Sequence, residues 1–465
     1  MTRVLVTGAT GYIGSLLVPR LLAAGFDVRV LTRSAARLNP DWSRNVEEAQ
    51  GDATDEDALR RAFTGCDVAY FLIHSMDGQG DFVVRDRAVA TGFARVARDT
   101  GISRIVYLSG LHPSHAELSA HLGSRVEVGE ILLGSGVPTA VLQAGVVLGE
   151  GSASFDILRH LTERIPAVIG PKWLRNRIQP IAVDDALYYL VAAASLPPEV
   201  SRTIDIGGPE VLTYAQMMKR YASVTGLNPR PILTVPVLTP WLASLWMGFV
   251  TPVPTGVARP LVGSLIHEAV CHDSVAESLM GLPPGGLIGF DEAIRRAGRS
   301  YDPLQWSRVA KAVGAGVGAC VLVGTLLTDP KSDWYRGLRK PSWTPPAAAI
   351  PVVWTTLYGL IWISSTVTIS ELLDAGKKDE AAAFAKALAV NLTINAAWSG
   401  LFFRAHRLPL AAVVSGLLAA SSADLSRRAA ATGPGKAGVL GLYATWCTFP
   451  TALTARLARL NPDRG

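Results

Sequence analysis

Cysteine is scarce and charge is thin. The 465 residues hold four cysteines, Cys66, Cys271, Cys320 and Cys447, with no C-x-x-C pairing and no histidine at ligand spacing. Neither a zinc site nor a disulfide framework is supported, and no metal is expected. Charged residues make up 18% against 49% hydrophobic, and the mean hydropathy is +0.28. That is too apolar for a disordered chain, and it places part of the chain in lipid. The net charge is +6, yet no block of five or six like charges occurs, so a nucleic-acid partner is not expected. The apolar run after Met1-Thr2-Arg3 ends at Thr7-Gly8, too short for an export signal, and the expectation is a first half that stays in a reducing cytosol.

Up to about residue 300, short apolar runs (Val4 to Val6, Val28 to Leu31, Val68 to Ile73, Ile105 to Leu108, Thr139 to Leu142) alternate with amphipathic stretches. This predicts an α/β doubly wound parallel sheet with helices on both faces. A proline-interrupted, uncharged stretch from Ile232 to Ala258 reads as no membrane span, with Trp241 to Met247 a core helix or an apolar lid facing the bilayer.

Past Tyr301, seven of the eleven tryptophans crowd the last third, and uncharged runs of 17, 30, 17, 16 and 19 residues start at Ala312, Pro341, Ala387, Leu408 and Ala437. With about 20 residues needed to cross the hydrocarbon, five spans are expected, the short ones completed by snorkelling ends such as Lys311 and Arg404. The domains predicted are residues 1–300, an α/β nucleotide-binding unit, and 301–465, an all-α five-helix transmembrane bundle.

The chain opens as a strand, a glycine-rich turn at Thr7-Gly8-Ala9-Thr10-Gly11-Tyr12-Ile13-Gly14, and then a helix. Gly8 permits the tight turn, Gly11 lets backbone approach a pyrophosphate, Gly14 lets helix and strand pack closely, and the helix N-terminus faces the anion. Thr7, Thr10, Tyr12 and Ile13 complete the candidate cofactor-binding loop. The second strand ends without an acid: Arg33 stands there, favouring a 2′-phosphate, and so NADP(H) over NAD(H). Asp52 and Ala53, after the third strand, are placed at the adenine.

These residues, with Tyr107-Leu108-Ser109-Gly110 and Gln179-Pro180-Ile181-Ala182-Val183-Asp184-Asp185, resemble the NmrA-like, atypical short-chain dehydrogenase/reductases over residues 1–300. The resemblance implies a Tyr-x-x-x-Lys acid and a carbonyl-orienting serine. The Tyr-x-x-x-Lys is missing, and His121-Leu122-Gly123-Ser124-Arg125 stands in its place. Histidine still carries a proton near neutrality and Arg125 keeps a cation one turn away. The candidate catalytic residues are therefore Ser109, His121 and Arg125, while His74 and His112 read as bystanders on the cleft border.

The loop Trp334-Tyr335-Arg336-Gly337-Leu338-Arg339-Lys340-Pro341-Ser342-Trp343-Thr344-Pro345-Pro346, the run Pro351 to Tyr358, and Asn395-Ala396-Ala397-Trp398-Ser399-Gly400 resemble the TspO/MBR tryptophan-rich sensory proteins over residues 305–461. That resemblance implies a pocket for tetrapyrroles or related hydrophobic molecules, lined by Trp343, Trp354, Asn395, Trp398 and Trp446, and pairing as a homodimer through the membrane domain.

The combined reading is a membrane-anchored NADP(H)-binding oxidoreductase in the cytoplasmic membrane, with its N-terminal domain cytosolic and its substrate a lipophilic molecule. The alternative is a regulator that senses nucleotide without turnover and biases porphyrin or lipid binding in the bundle.

Overall fold

The computed structural model describes residues 1–74, 82–113, 118–235, 263–264 and 266–464, and the chain separates into two compact units, Met1–Ser300 and Tyr301–Gly465. Of the stretch 232–258, only Ile232–Val235 lies among the described residues, as a short strand parallel to Val168–Pro171. Trp241 to Met247 lie outside them.

In the first unit, apolar runs that alternate sides become strands: β1 Arg3–Thr7, β2 Asp27–Thr32, β3 Glu47–Gln50, β4 Val68–Phe71, β5 Arg104–Gly110, β6 Thr139–Ala144 and β7 Arg202–Ile206. All are parallel, in the order β7-β6-β5-β4-β1-β2-β3. Period-two alternation assigns the two faces. Val4 and Val6 join the core under α1 (Tyr12–Ala23) and α6 (Val183–Ala193). Leu5 joins the core under α2 (Glu56–Phe63), α3 (Phe82–Asp99) and α4 (Ala120–Leu133). After β3 the chain crosses to the far side of β1, which puts the switch point, where such sheets take ligands, at the C-terminal ends of β1 and β4.

Helix starts differ in a way that matters for the site. Asp55 caps α2 by accepting from the N–H groups of Asp57 and Ala58, and Thr213 with Gln216 forms a capping box on α7 (Tyr214–Val224). Helix α1 starts after Gly11 with no side-chain cap and no acid in its first turn. Its orphan N–H groups are left for another partner.

The second unit has five long helices: α8 Gln305–Leu327, α9 Ala349–Asp374, α10 Lys378–Phe403, α11 Leu408–Ala429 and α12 Pro434–Leu460. By length and composition three are apolar enough to cross a membrane, spanning Gln305–Leu327, Ala349–Asp374 and Leu408–Thr432. The expected count of five is met by helix number only. Helix α10 opens on Lys378, Asp379 and Glu380 and holds Asn391 and Asn395, and α12 holds Lys436, Arg456 and Arg459, which lowers their hydropathy.

Candidate functional site

At the end of β1 the backbone turns through Gly8 at φ +76°, where a Cβ would lie 2.5 Å from the Leu72 carbonyl oxygen. The Gly11 N–H donates to the Gly8 carbonyl at 2.9 Å. A Cβ on Gly14 would strike that carbonyl and come within 2.8 Å of the Ala9 Cα. Side chains at Gly8 and Gly14 are thus excluded by backbone, the condition for a chain that passes close to a pyrophosphate and hands it to an uncapped helix. Thr10 is exposed at the turn, and Ile13 packs on the core. The Tyr12 ring lies within 3.7 Å of where a Gly151 Cβ would stand. Thr7 looks inward instead, its hydroxyl donating to the Tyr70 carbonyl at 2.7 Å and tying β1 to β4.

Arg33, whose side chain is 71% exposed, follows β2 and lies 3.8 Å from Asp52, which follows β3. Asp52 accepts from the Thr54 backbone N–H and hydroxyl, and the backbone bond chiefly holds its carboxyl below the usual range. Ala53 packs against the core under α2 and α3. This geometry fits a dinucleotide: glycines at the turn, an open helix end, and an exposed guanidinium at the ribose end.

Ser119 caps α4, its hydroxyl accepting from the Leu122 N–H. His121 and Arg125 therefore stand one turn apart on one face. His121 is buried, with its Nδ1 3.3 Å from His74 Nε2, and His74 Nδ1 is 3.2 Å from Asp86 of α3. The Ser124 hydroxyl also donates to that Asp86 oxygen, at 3.3 Å. Burial, with Arg125 close by, pushes the His121 imidazole down to about 3, and burial lowers His74 too against the pull of Asp86. Ser109 is buried, and its hydroxyl and that of Tyr107 both donate to the Arg125 carbonyl, at 3.3 and 3.2 Å.

The three predicted residues meet around Arg125. His121 and Arg125 line a cavity of about 110 Å³ whose walls are otherwise largely apolar, including Leu111, Leu122, Val146 and Ile157. Ser109 and Arg125 line a larger polar groove, of about 350 Å³, that also carries Gln143 and the Asp205–His272 pair, 2.9 Å apart. The Arg125 Nε is buried without a hydrogen-bond partner among the described residues. So is the hydroxyl of Tyr214, which lines the smaller cavity. Sequence reasoning missed Tyr214 and Asp86 and left His74 a bystander. His112 instead binds Gln143 at 3.1 Å, away from the histidine pair.

In the second unit, a string of polar groups crosses the interior. The Tyr358 hydroxyl donates to Asn395 at 2.9 Å, and the Asn395 amide donates to Tyr443 at 3.2 Å. The Tyr443 hydroxyl donates to Asn391 at 3.0 Å, and the Asn391 amide donates to Ser422 at 3.1 Å. Trp354 packs against Tyr358 and Tyr443, so it joins Asn395. Trp343 and Trp446 share Phe449. Trp354 and Trp446 pack against one core cluster, whereas Trp398 stacks on Phe402 in a separate one.

Residues 312–460 match the TspO/MBR family and residues 8–131 an NAD(P)H-binding family. The tryptophan-rich protein TspO of Chlorobaculum tepidum is 33% identical over 152 residues, 31% of this chain and 93% of that protein. Ceramide reductase of Caulobacter vibrioides is 30% identical over 235 residues, 49% of this chain and 72% of that protein. That match is longer than the whole of Tyr301–Gly465. The solved triphenylmethane reductase of Citrobacter sp., complexed with NADP(H), shares the fold at a TM-score of 0.51 and 16% identity, over 63% of this chain and 99% of that one. The chain belongs to the TspO/MBR family through its C-terminal part, joined behind an NAD(P)H-binding domain.

Proposed function

We propose that the first unit is an NADP(H)-dependent reductase of a carbonyl on a membrane lipid, held at the cytoplasmic membrane by the TspO-like half. The observation that carries this reading is the small, mainly apolar cavity lined by Arg125 and Tyr214, whose buried donors have no partner among the described residues. Such donors are costly unless something accepts from them, and a carbonyl oxygen on an otherwise greasy molecule does so. The adjoining polar groove suits the substrate's head, and the ceramide reductase likeness supports a lipid as the substrate class.

When bound, a reduced nicotinamide supplies hydride. Gly8, Gly11 and Gly14 cradle its pyrophosphate, Arg33 pairs with the 2′-phosphate, and Asp52 and Ala53 border the adenine. Arg125 and Tyr214 polarise the carbonyl, His121 exchanges the proton, and Ser109 keeps Arg125 in place through its carbonyl. The second unit inserts as five helices, with the first unit cytosolic. Trp343, Trp354, Asn395, Trp398 and Trp446 bind a tetrapyrrole or a lipid, and the helical half pairs as a homodimer.

The test is NADPH oxidation by the full-length protein in lipid nanodiscs, with a long-chain keto-amide lipid as substrate. Turnover is expected to depend on that lipid and to fall by about 100-fold in Arg125→Met. Full NADPH binding with no lipid-dependent oxidation overturns the reductase. It favours a nucleotide-sensing regulator, the reading that His121-x-x-x-Arg125 in place of Tyr-x-x-x-Lys also supports. In that case protoporphyrin affinity differs with and without NADPH.

A further inference from the structure

We infer, on the reductase reading above, that His74 and Asp86 are positioning residues that lock His121 into one tautomer, so that its Nε2 alone meets the substrate oxygen. Three elements converge to make the string: the loop after β4 brings His74, the second turn of α3 brings Asp86, and the first turn of α4 brings His121. These residues are 12 to 47 positions apart in sequence, and no single segment holds them together.

The proton positions follow from donor and acceptor capacity. An ionised carboxylate only accepts, so the ring nitrogen 3.2 Å from Asp86 Oδ2, His74 Nδ1, carries hydrogen. Asp86 is further fixed as an acceptor by the Ser124 hydroxyl. A neutral His74 then has a bare Nε2, and the nitrogen 3.3 Å away, His121 Nδ1, must donate to it. One ring nitrogen remains, His121 Nε2, for the cavity that His121 lines. Among the described residues, the titratable groups facing the two rings are Asp86 from α3 and Arg125 from α4. Burial and Arg125 oppose a second proton on the rings and Asp86 favours it, so the resting string is neutral at His121.

In the reduction, a reduced nicotinamide held at the glycine turn would supply the hydride for the new C–H bond as the carbonyl π bond breaks. The protonated His121 gives its Nε2 proton to the carbonyl oxygen, forming the O–H bond. The lipid is reduced and the nicotinamide oxidised. His121 is left neutral, its Nδ1–H still on His74, and takes its next proton from water. Fixing one ring nitrogen through the hydrogen bond of the other is the general way an imidazole is held for catalysis.

The experiment uses the full-length protein, ¹⁵N-labelled on histidine. Long-range ¹H–¹⁵N spectra at pH 7 are expected to show both His74 and His121 as neutral Nδ1–H tautomers. Asp86→Asn, which can offer an N–H to His74, is expected to move His74 to the Nε2–H form. It should lower kcat for the lipid ketone by about 100-fold with KM within about threefold, and Asp86→Glu should recover part of the rate. Because acid supplies the protonated form, kcat/KM for reduction should rise as pH falls from 8 to 5 with no plateau near 6.5. An Nε2–H tautomer of His121, a charged His74 at pH 7, or Asp86→Asn within threefold of the parent kcat overturns the assignment. The spectra of the unmodified protein decide it even where Asp86→Asn folds poorly. If the parent protein turns over no lipid ketone, the reductase reading falls while the tautomers are still read directly.

Discussion

In Met1–Ser300, Leu5, Phe63, Phe93 and Phe155 are sealed inside, and Arg33 and Asp52 stand in water at the strand ends. In Tyr301–Gly465, Asn391, Ser422 and Tyr443 are sealed inside, and Leu322, Val352, Leu417 and Leu442 are each more than half exposed. The same backbone rules build both halves, and the solvent decides which side chains turn inward. Water rewards a greasy centre. Hydrocarbon gives no reward for burying leucine, so what distinguishes the inside of the bundle is hydrogen bonding and close packing. The six-residue change of texture around Ser300 to Gln305 marks the boundary between the two units.

The comparison breaks most visibly at Phe93, whose ring packs edge-on against Phe63 and Phe71 at 4.9 Å. Phe93→Ala is expected to cost about 3–5 kcal/mol, read as a lower midpoint for the NADPH-protected unfolding transition. A loss under about 1 kcal/mol would show that this core is not packed as described. Next comes Leu417 on α11, 54% exposed near the middle of a candidate span. Leu417→Lys is expected to cost about 2.5–3.5 kcal/mol of insertion, measured as the membrane-inserted fraction in a translocation assay. An unchanged fraction would mean that this face does not meet lipid. Smallest is Asn391→Leu, which unlinks Tyr443 from Ser422. About 1 kcal/mol is expected, measured by reversible unfolding in bicelles, and a loss as large as that of Phe93→Ala would erase the contrast between the two interiors.

Much of this was legible in the order of residues. The spacing of Gly8, Gly11 and Gly14 behind a strand foretold the turn, because only a backbone without Cβ passes Leu72 and Ala9 so closely. Helix α1 begins at Tyr12, three residues earlier than its apolar pattern suggested, since an N-terminal turn needs no buried face. The lengths of uncharged runs foretold five helices but could not rank them: Asn395 was expected at the pocket, while Asn391 reads as an ordinary polar residue until its partners on other helices are known. The histidine string was invisible for the same reason. His74 looked like a loop residue, Asp86 a charge on an amphipathic helix, and nothing local says that α3 and α4 lie side by side. Tyr214 carried no signal at all, since a tyrosine opening a helix is ordinary.

One backbone carbonyl has practical weight for anyone who engineers this protein. The Arg125 oxygen accepts the hydroxyls of both Tyr107 and Ser109, so α4 is riveted to the sheet by a main-chain atom that every amino acid supplies. The side chain at position 125 can thus be changed without unseating the helix: lysine, glutamine or methionine there reads out what the guanidinium does against a constant scaffold.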